Sequence, residues 1–335
     1  MKDHVMTTDL ARLIQTFFCQ RLIKQQNVSR QTIYSYRDTL RLLLRFSEQQ
    51  LGKAAADLQL IDINAHLVLA FLDNLESQRH NCIRSRNARL AAIRSLLHYA
   101  ATQEPQALPG IQQVLAIPSK RFECPMVRYL TQPEMQAILD APDINTWSGQ
   151  RDHVLLATLY NTGARVSEII TLRRGDFESK HGQAVHLHGK GRKKRVVPLW
   201  KNTVKLLRRW LLQIDPDLQK PLFPNRFGQM LTRSGVESRL RMALPRAIVQ
   251  CPSLKGKIVS PHVIRHTTAM HLLQAGVDLS VIALWLGHES IVTTHQYLEA
   301  DLQMKENALA KLQSPSTHFT RYKPSSNILS FLDGL

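Results

Sequence analysis

Six side chains in the C-terminal part of this 335-residue chain could do chemistry together. They are Arg165, Lys190, His262, Arg265, His288 and Tyr297, at intervals of 25, 72, 3, 23 and 9 positions. The set holds three cations, two possible proton carriers and one phenol oxygen that can serve as a nucleophile. No carboxylate set of the kind used in metal-assisted phosphoryl transfer accompanies them. A phosphodiester attacked without metal needs its developing charge neutralised by Arg, Lys and His. It also needs a protein nucleophile if the energy of the broken bond is to be kept.

Each residue sits in a local context that can be read separately. In TGARVSEIITL (162–172), Gly163 leads into a helix with Arg165 in its first turn. The N–H groups exposed there suit an anion, although a surface arginine would look the same in isolation. In HGKGRKKRVVPL (188–199), Lys190 stands between two glycines at an expected hairpin tip. Glycine lets backbone approach a ligand closely, and Arg192, Lys193, Lys194 and Arg195 add positive charge. The phosphate-loop pattern GxxxxGK[ST] is missing. In PHVIRHTTAMHLLQAG (261–276), His262 and Arg265 are three apart and share a helix face. His262 and His266 are four apart and could ligate a metal, but no carboxylate cluster supports that use. His266 and His271 read as packing or hydrogen-bonding residues. In LGHESIVTTHQYLEA (286–300), Gly287 ends one helix, His288 leaves the turn, and Tyr297 falls two turns into the next.

The elements that must carry these residues are mainly helical. Residues 8–104 read as four helices, among them SRQTIYSYRDTLRLLLRFSEQQLG with a Ser cap and a terminal Gly52. The fourth, around 83–102, carries Arg84, Arg86, Arg89 and Arg94 on or near the face opposite its apolar one, as candidates for phosphate contact. Prolines at 105, 109, 118 and 125 break the pattern. Thr131 and Glu134 then form a capping box. The second half is mixed: helices at 149–160, 164–172, 201–213, 232–249, 262–275, 278–286 and 290–312, and a hairpin of 184–188 with 195–199. Residues 251–260 look like an extra loop. The tail from Ser314 ends in the apolar NILSFLDGL.

Composition sets the partner class. Lys and Arg number 44 against 26 Asp and Glu, a net charge of +18. The excess is spread along the chain, with 15 basic against 9 acidic residues in 1–120 and 29 against 17 in the remainder. A polyanion, and nucleic acid first among polyanions, is the economical partner. No apolar run approaches the ~20 residues of a membrane span. The N-terminus has no secretory pattern. The cysteines at 19, 82, 124 and 251 fit neither a disulfide framework nor a zinc site. The expectation is a cytoplasmic protein with reduced thiols.

The six residues, in order and in these contexts, resemble the tyrosine recombinases, the family of phage integrases and Xer-type resolvases. The resemblance runs over residues 8–312. It implies a helical, SAM-like core-binding domain over 1–118, a linker at 119–128, a mixed α+β catalytic domain over 129–313, and a tail at 314–335 that docks on a neighbouring subunit or its own domain. It implies site-specific cutting and rejoining of double-stranded DNA in a homo- or hetero-tetramer, with no cofactor, metal or ATP. Tyr297 would attack to give a 3′-phosphotyrosine. Arg165 and Arg265 would hold the non-bridging oxygens, and His288 would donate to the phosphate. Lys190 would protonate the leaving 5′ oxygen. His262 would take the tyrosine proton or help hold the phosphate, and Glu168 would buttress. Ile264 in place of the family's usual Leu, and the lack of a His two positions after Tyr297, leave the subfamily open. A type IB topoisomerase-like enzyme shares the phosphotyrosine step, and a silent DNA-binding protein would share the fold.

Overall fold

The computed structural model describes residues 9–122, 127–178, 183–189 and 194–288. Lys190, Arg192, Lys193, Tyr297, the expected helix at 290–312 and the tail from Ser314 lie outside them. The chain forms two compact units, divided between residues 125 and 126. As the sequence leads one to expect, the described residues are mainly α-helical with one small sheet.

In the first unit, α1 (Asp9–Thr16) runs into a π-helical stretch, Phe17–Gln25. Then come α2 (Arg30–Leu51), α3 (Ala65–Ser77), α4 (Ile83–Gln103) and α5 (Leu108–Leu115). Local chemistry sets the bounds of α2. The Ser29 hydroxyl accepts from the Thr32 N–H at 3.2 Å, and Gly52 ends the helix at φ 65°. Such a cap contributes about 1 kcal/mol. Phe17, Leu43, Phe71, Leu72, Leu90 and Ile93 are among the fully buried side chains of this unit's core. Each buried aliphatic or aromatic side chain stabilises by roughly 1.5–3 kcal/mol.

The second unit opens with α6 (Gln132–Asp140), whose Thr131–Glu134 capping box forms as the sequence indicates. After it come α7 (Trp147–Thr162), α8 (Val166–Thr171), β1 (Phe177–Glu178), β2 (Ala184–His188), β3 (Lys194–Pro198) and α9 (Lys201–Leu211). The unit's remaining described helices are α10 (Arg233–Gln250), α11 (Pro261–Gln274) and α12 (Leu279–Leu286). The strands pair antiparallel in the order β1-β2-β3, with Val185 opposite Val197 and Leu187 opposite Arg195. The hairpin expected from the sequence is present, one residue displaced on β3. The two-residue β1, which the sequence did not reveal, extends it through Phe177 opposite Val185. Strand periodicity turns Val185, Leu187 and Val197 into the core. Trp210 belongs to the same core, fully buried, its indole N–H donating to the Leu222 carbonyl at 2.8 Å.

The segment 251–260 is tied down. Its Ser253 hydroxyl and its Lys257 ammonium both bond the buried Glu134 carboxylate. Burial works against the charge of Glu134, and Lys257 and Ser253 outweigh it, so the carboxyl stays below its ordinary range. The α11 start that follows is capped by the Ser260 hydroxyl, which accepts from the Val263 N–H.

Candidate active site

Arg165, Arg265, His262 and His288 come from three places in the fold, and the end of α12 draws Arg165, Arg265 and His288 together. α7 ends at Gly163, which turns the chain at φ 57°. A side chain there would collide with Leu286, whose Cδ2 lies 2.5 Å from the position of a Cβ. The close approach needs glycine, and it brings the start of α8 against the end of α12. Arg165 is the residue just before α8. Its N–H donates to Glu168 Oε2 at 2.8 Å, and its guanidinium reaches Glu168 Oε1 at 3.1 Å.

The last carbonyls of a helix have no partner within it and carry its negative end. At the end of α12 three successive carbonyls each accept from a different arginine. Trp285 O takes Nε of Arg195 at 2.9 Å. Leu286 O takes Nη2 of Arg265 at 2.8 Å. Gly287 O takes Nη2 of Arg165 at 3.2 Å. Arg265 also donates to Gly163 O at 2.6 Å and is itself 3% exposed. Gly287 sits at φ 66°, and the His288 N–H returns to Ala283 O at 2.9 Å. The chain is thereby held where it delivers the imidazole.

In the sequence Arg195 stands only as added positive charge beside the hairpin tip; the structure gives it a bracing role. It donates two bonds of 2.9 Å to the buried Glu168 carboxylate, one from Nη1 and one from Nη2. A planar two-point pair of this kind fixes both partners. Burial pushes the Glu168 carboxyl up, but the Arg195 and Arg165 guanidiniums prevail and hold it below the usual carboxylate range. Glu168 is thus a charged brace between two arginines. The available signal for Arg195 was periodicity: it is two positions from buried Val197 and shares the inward face of β3.

The histidines experience this positive field. Burial, then Arg265, Arg165 and Arg195, push His288 down to about 4. Burial, then Arg265 and Arg165, also lower His262. Both imidazoles are neutral at neutral pH, and an anion placed among them would favour their charged forms. His262 Nε2 lies 2.9 Å from Nε2 of His266. His271 Nδ1 meets the Tyr160 hydroxyl at 2.7 Å, a packing contact of α11 on α7. Among the described residues no group of three or more His, Cys, Asp or Glu is arranged to hold a metal ion.

The arginines marked on α4 divide. Arg84 is exposed and lies over the Phe122 ring. Arg86 corrects the expectation of a surface side chain: it is 3% exposed and pairs with Glu76 at 3.4 Å. Arg89 donates to Thr39 Oγ1 at 2.9 Å, and Arg94 to the Ile117 carbonyl. These three brace α4 against its neighbours. Lys194, at the start of β3, is exposed. A stripe the sequence reading passed over lies on α2. Arg30, Tyr34, Arg37, Arg41 and Arg45 are all exposed, and their spacing of 4, 3, 4 and 4 puts them on one helix face. Arg37 stacks over Tyr34 at 5.0 Å.

The sequence pattern of the phage integrase family matches residues 128–304, and that of the phage integrase N-terminal SAM-like domain matches residues 16–104. The chain belongs to the phage integrase family. A putative integrase/recombinase of Sinorhizobium fredii (strain NBRC 101917 / NGR234) is 49% identical to this recombinase over 326 residues, 97% of this chain and 98% of its own. The tyrosine recombinase XerC of Chlamydia trachomatis serovar L2 is 33% identical over 235 residues, 68% of this chain and 71% of its own. Among solved structures, the XerH site-specific recombinase bound to difH substrate in its pre-cleavage complex superimposes with a TM-score of 0.61 at 23% identity, covering 83% of this chain and 79% of that one. The Tn1549 transposon integrase in complex with transposon right end DNA gives 0.67 at 14% identity, covering 89% and 99%. At these identities the structural likeness is one of fold. The recombinase is a DNA breaking and rejoining enzyme of the tyrosine class, and no helix among its described residues is long and apolar enough to cross a membrane.

Proposed function

We propose that the recombinase cuts and rejoins double-stranded DNA at a specific site through a 3′-phosphotyrosine formed on Tyr297, without metal or ATP. The observation that carries this reading is the convergence of Arg165, Arg265 and His288 on the end of α12, with His262 held in the same field. The Tyr297 hydroxyl attacks the scissile phosphate and the 5′ oxygen leaves. Arg165 and Arg265 neutralise the charge on the non-bridging oxygens. His288 donates a further hydrogen bond, Lys190 supplies the leaving oxygen with a proton, and His262 takes the proton of the tyrosine. A phenol of pKa about 10 is a poor nucleophile at neutral pH, and the adjacent arginines favour its phenolate. Religation is the reverse, with the 5′ hydroxyl of the incoming strand as nucleophile.

The DNA contacts of the first unit are assigned to Arg84 and to the α2 stripe. Those of the second are assigned to Arg192, Lys193 and Lys194. Recombination requires four protomers on two DNA sites, and the tail from Ser314 is the segment proposed to dock between them. The test is a nicked suicide duplex carrying DNA that flanks the recombinase's own gene. The parent chain should trap a covalent adduct in the presence of EDTA, and Tyr297→Phe should bind the duplex but trap none. A persisting adduct would move the nucleophile elsewhere, Tyr322 first.

A further inference from the structure

His266 has no part in the chemistry just described, yet it touches it directly. It lies one turn along α11 from His262. The two rings meet edge to face, with centroids 4.1 Å apart and planes at 67°. Their Nε2 atoms, 2.9 Å apart, make a hydrogen bond in which one nitrogen must donate and the other accept. A neutral imidazole carries a single N–H, so the role of one ring nitrogen fixes the role of the other. If His262 donates at Nε2, its Nδ1 is a bare lone pair. If His262 accepts there, its Nδ1 carries a hydrogen and cannot take a proton.

The surroundings decide between these states once a proton arrives. Among the described residues, the charged and titratable groups that face the pair include Arg265 on the same helix, Arg165 before α8, and His288 beyond α12. His266 is the more buried of the two. Burial, then His262, Arg265 and His288, push it down to about 4. A proton taken up by the pair therefore stays on His262, and His262 must then be the donor in the Nε2 contact.

Building on the assignment of His262 as proton acceptor, we propose that His266 is a positioning residue for strand cleavage: its Nε2 accepts from His262 Nε2, fixes that ring, and leaves His262 Nδ1 bare to receive the tyrosine proton. The step balances. The tyrosine O–H breaks and an N–H forms at His262 Nδ1. The phenolate electron pair makes the new P–O bond, and the 5′ oxygen leaves with its own bonding pair and the proton from Lys190. His262 is then an imidazolium, with its Nε2–H still held by His266. An acceptor held in place on the far side of a general base sets its tautomer and steadies its charged form.

The experiment is single-turnover cleavage against pH with the full-length chain, on the same suicide duplex. DNA binding and thermal unfolding are measured in parallel. His266→Phe keeps an aromatic ring and removes the acceptor. His266→Gln restores an acceptor oxygen, and His266→Asn is too short to reach and serves if the Phe variant does not fold. Cleavage by His266→Phe should fall at least tenfold. The acid limb of its profile should move to lower pH, because an unsupported His262 imidazolium is harder to form. DNA binding should hold, and Gln should recover most of the rate and the limb. On a His262→Ala background, His266→Phe should add no further loss. Parental rates and an unmoved limb in His266→Phe would overturn the proposal, as would a slow Phe variant that Gln fails to rescue. A parental rate in His262→Ala would sink the assignment of His262 and the proposal with it. An impaired His262→Ala beside a parental His266→Phe would sink the proposal alone.

Discussion

The charge state of single residues is set here by neighbours far along the chain. His288 is pushed to about 4, first by burial and then by Arg265, Arg165 and Arg195. Its unfolded value is about 6.5. Between those values the unfolded chain binds the proton more readily, so His288 costs no stability above pH 6.5 and destabilises the fold progressively as pH falls toward 4. NMR titration should find the His288 ring neutral at pH 6 in the DNA-free protein, and a bound phosphate should raise its midpoint. An unchanged midpoint in the complex would remove His288 from the phosphate. Arg195→Met gives a second expected outcome. It leaves a buried carboxylate with one arginine, and stability should fall by about 3 kcal/mol, within the range for breaking a buried pair, as measured by urea unfolding. The six spaced residues stood out as candidates because their types announce their chemistry, and the four of them that are described, Arg165, His262, Arg265 and His288, share one positive field. The bracing role of Arg195 did not stand out, since Glu168 and Trp285 lie 27 and 90 positions away and only the folded chain brings them to it.

Helices and turns were readable wherever their signals are local. Ser29, Thr131 and Asp278 cap the helices that follow them, and Gly52 and Gly287 end helices in the left-handed conformation. What could not be read was which face of α4 its arginines occupy. Thr39, Glu76 and Ile117, the partners that turn Arg89, Arg86 and Arg94 inward, lie on other segments. The difference has a measurable form. Arg86→Ala should lower stability and leave the salt dependence of DNA binding unchanged. Replacing Arg30, Arg37, Arg41 and Arg45 with Ala should leave stability nearly unchanged and reduce the slope of log affinity against log salt by about 1 for each arginine on a phosphate. The turn at Gly163 gives a sharper case. Gly163→Ala forces a left-handed alanine and a clash with Leu286. It should cost about 1–3 kcal/mol in urea unfolding and lower cleavage more than DNA binding. An unimpaired cleavage rate would show that the approach of α8 to α12 does not matter to the site.

For the whole molecule, the net charge of +18 and its spread over both halves were plain in the sequence, and they favour contact with DNA along much of the chain. Charge alone does not separate a recombinase from a topoisomerase. A supercoiled plasmid without a recombination site does: it should keep its supercoils in the presence of this protein. Rapid relaxation would favour strand passage over recombination. The end of α12 bears on how such a protein tolerates change. Three arginines are gripped there by backbone oxygens of Trp285, Leu286 and Gly287, beside the Glu168 carboxylate that holds two of them. Replacing the side chains at 285 and 286 leaves those acceptors chemically intact, whereas a peptide-to-ester change there, with every side chain untouched, weakens them. This part of the grip on the arginines is therefore inherited through the path of the main chain, and comparing side chains between relatives would pass over it.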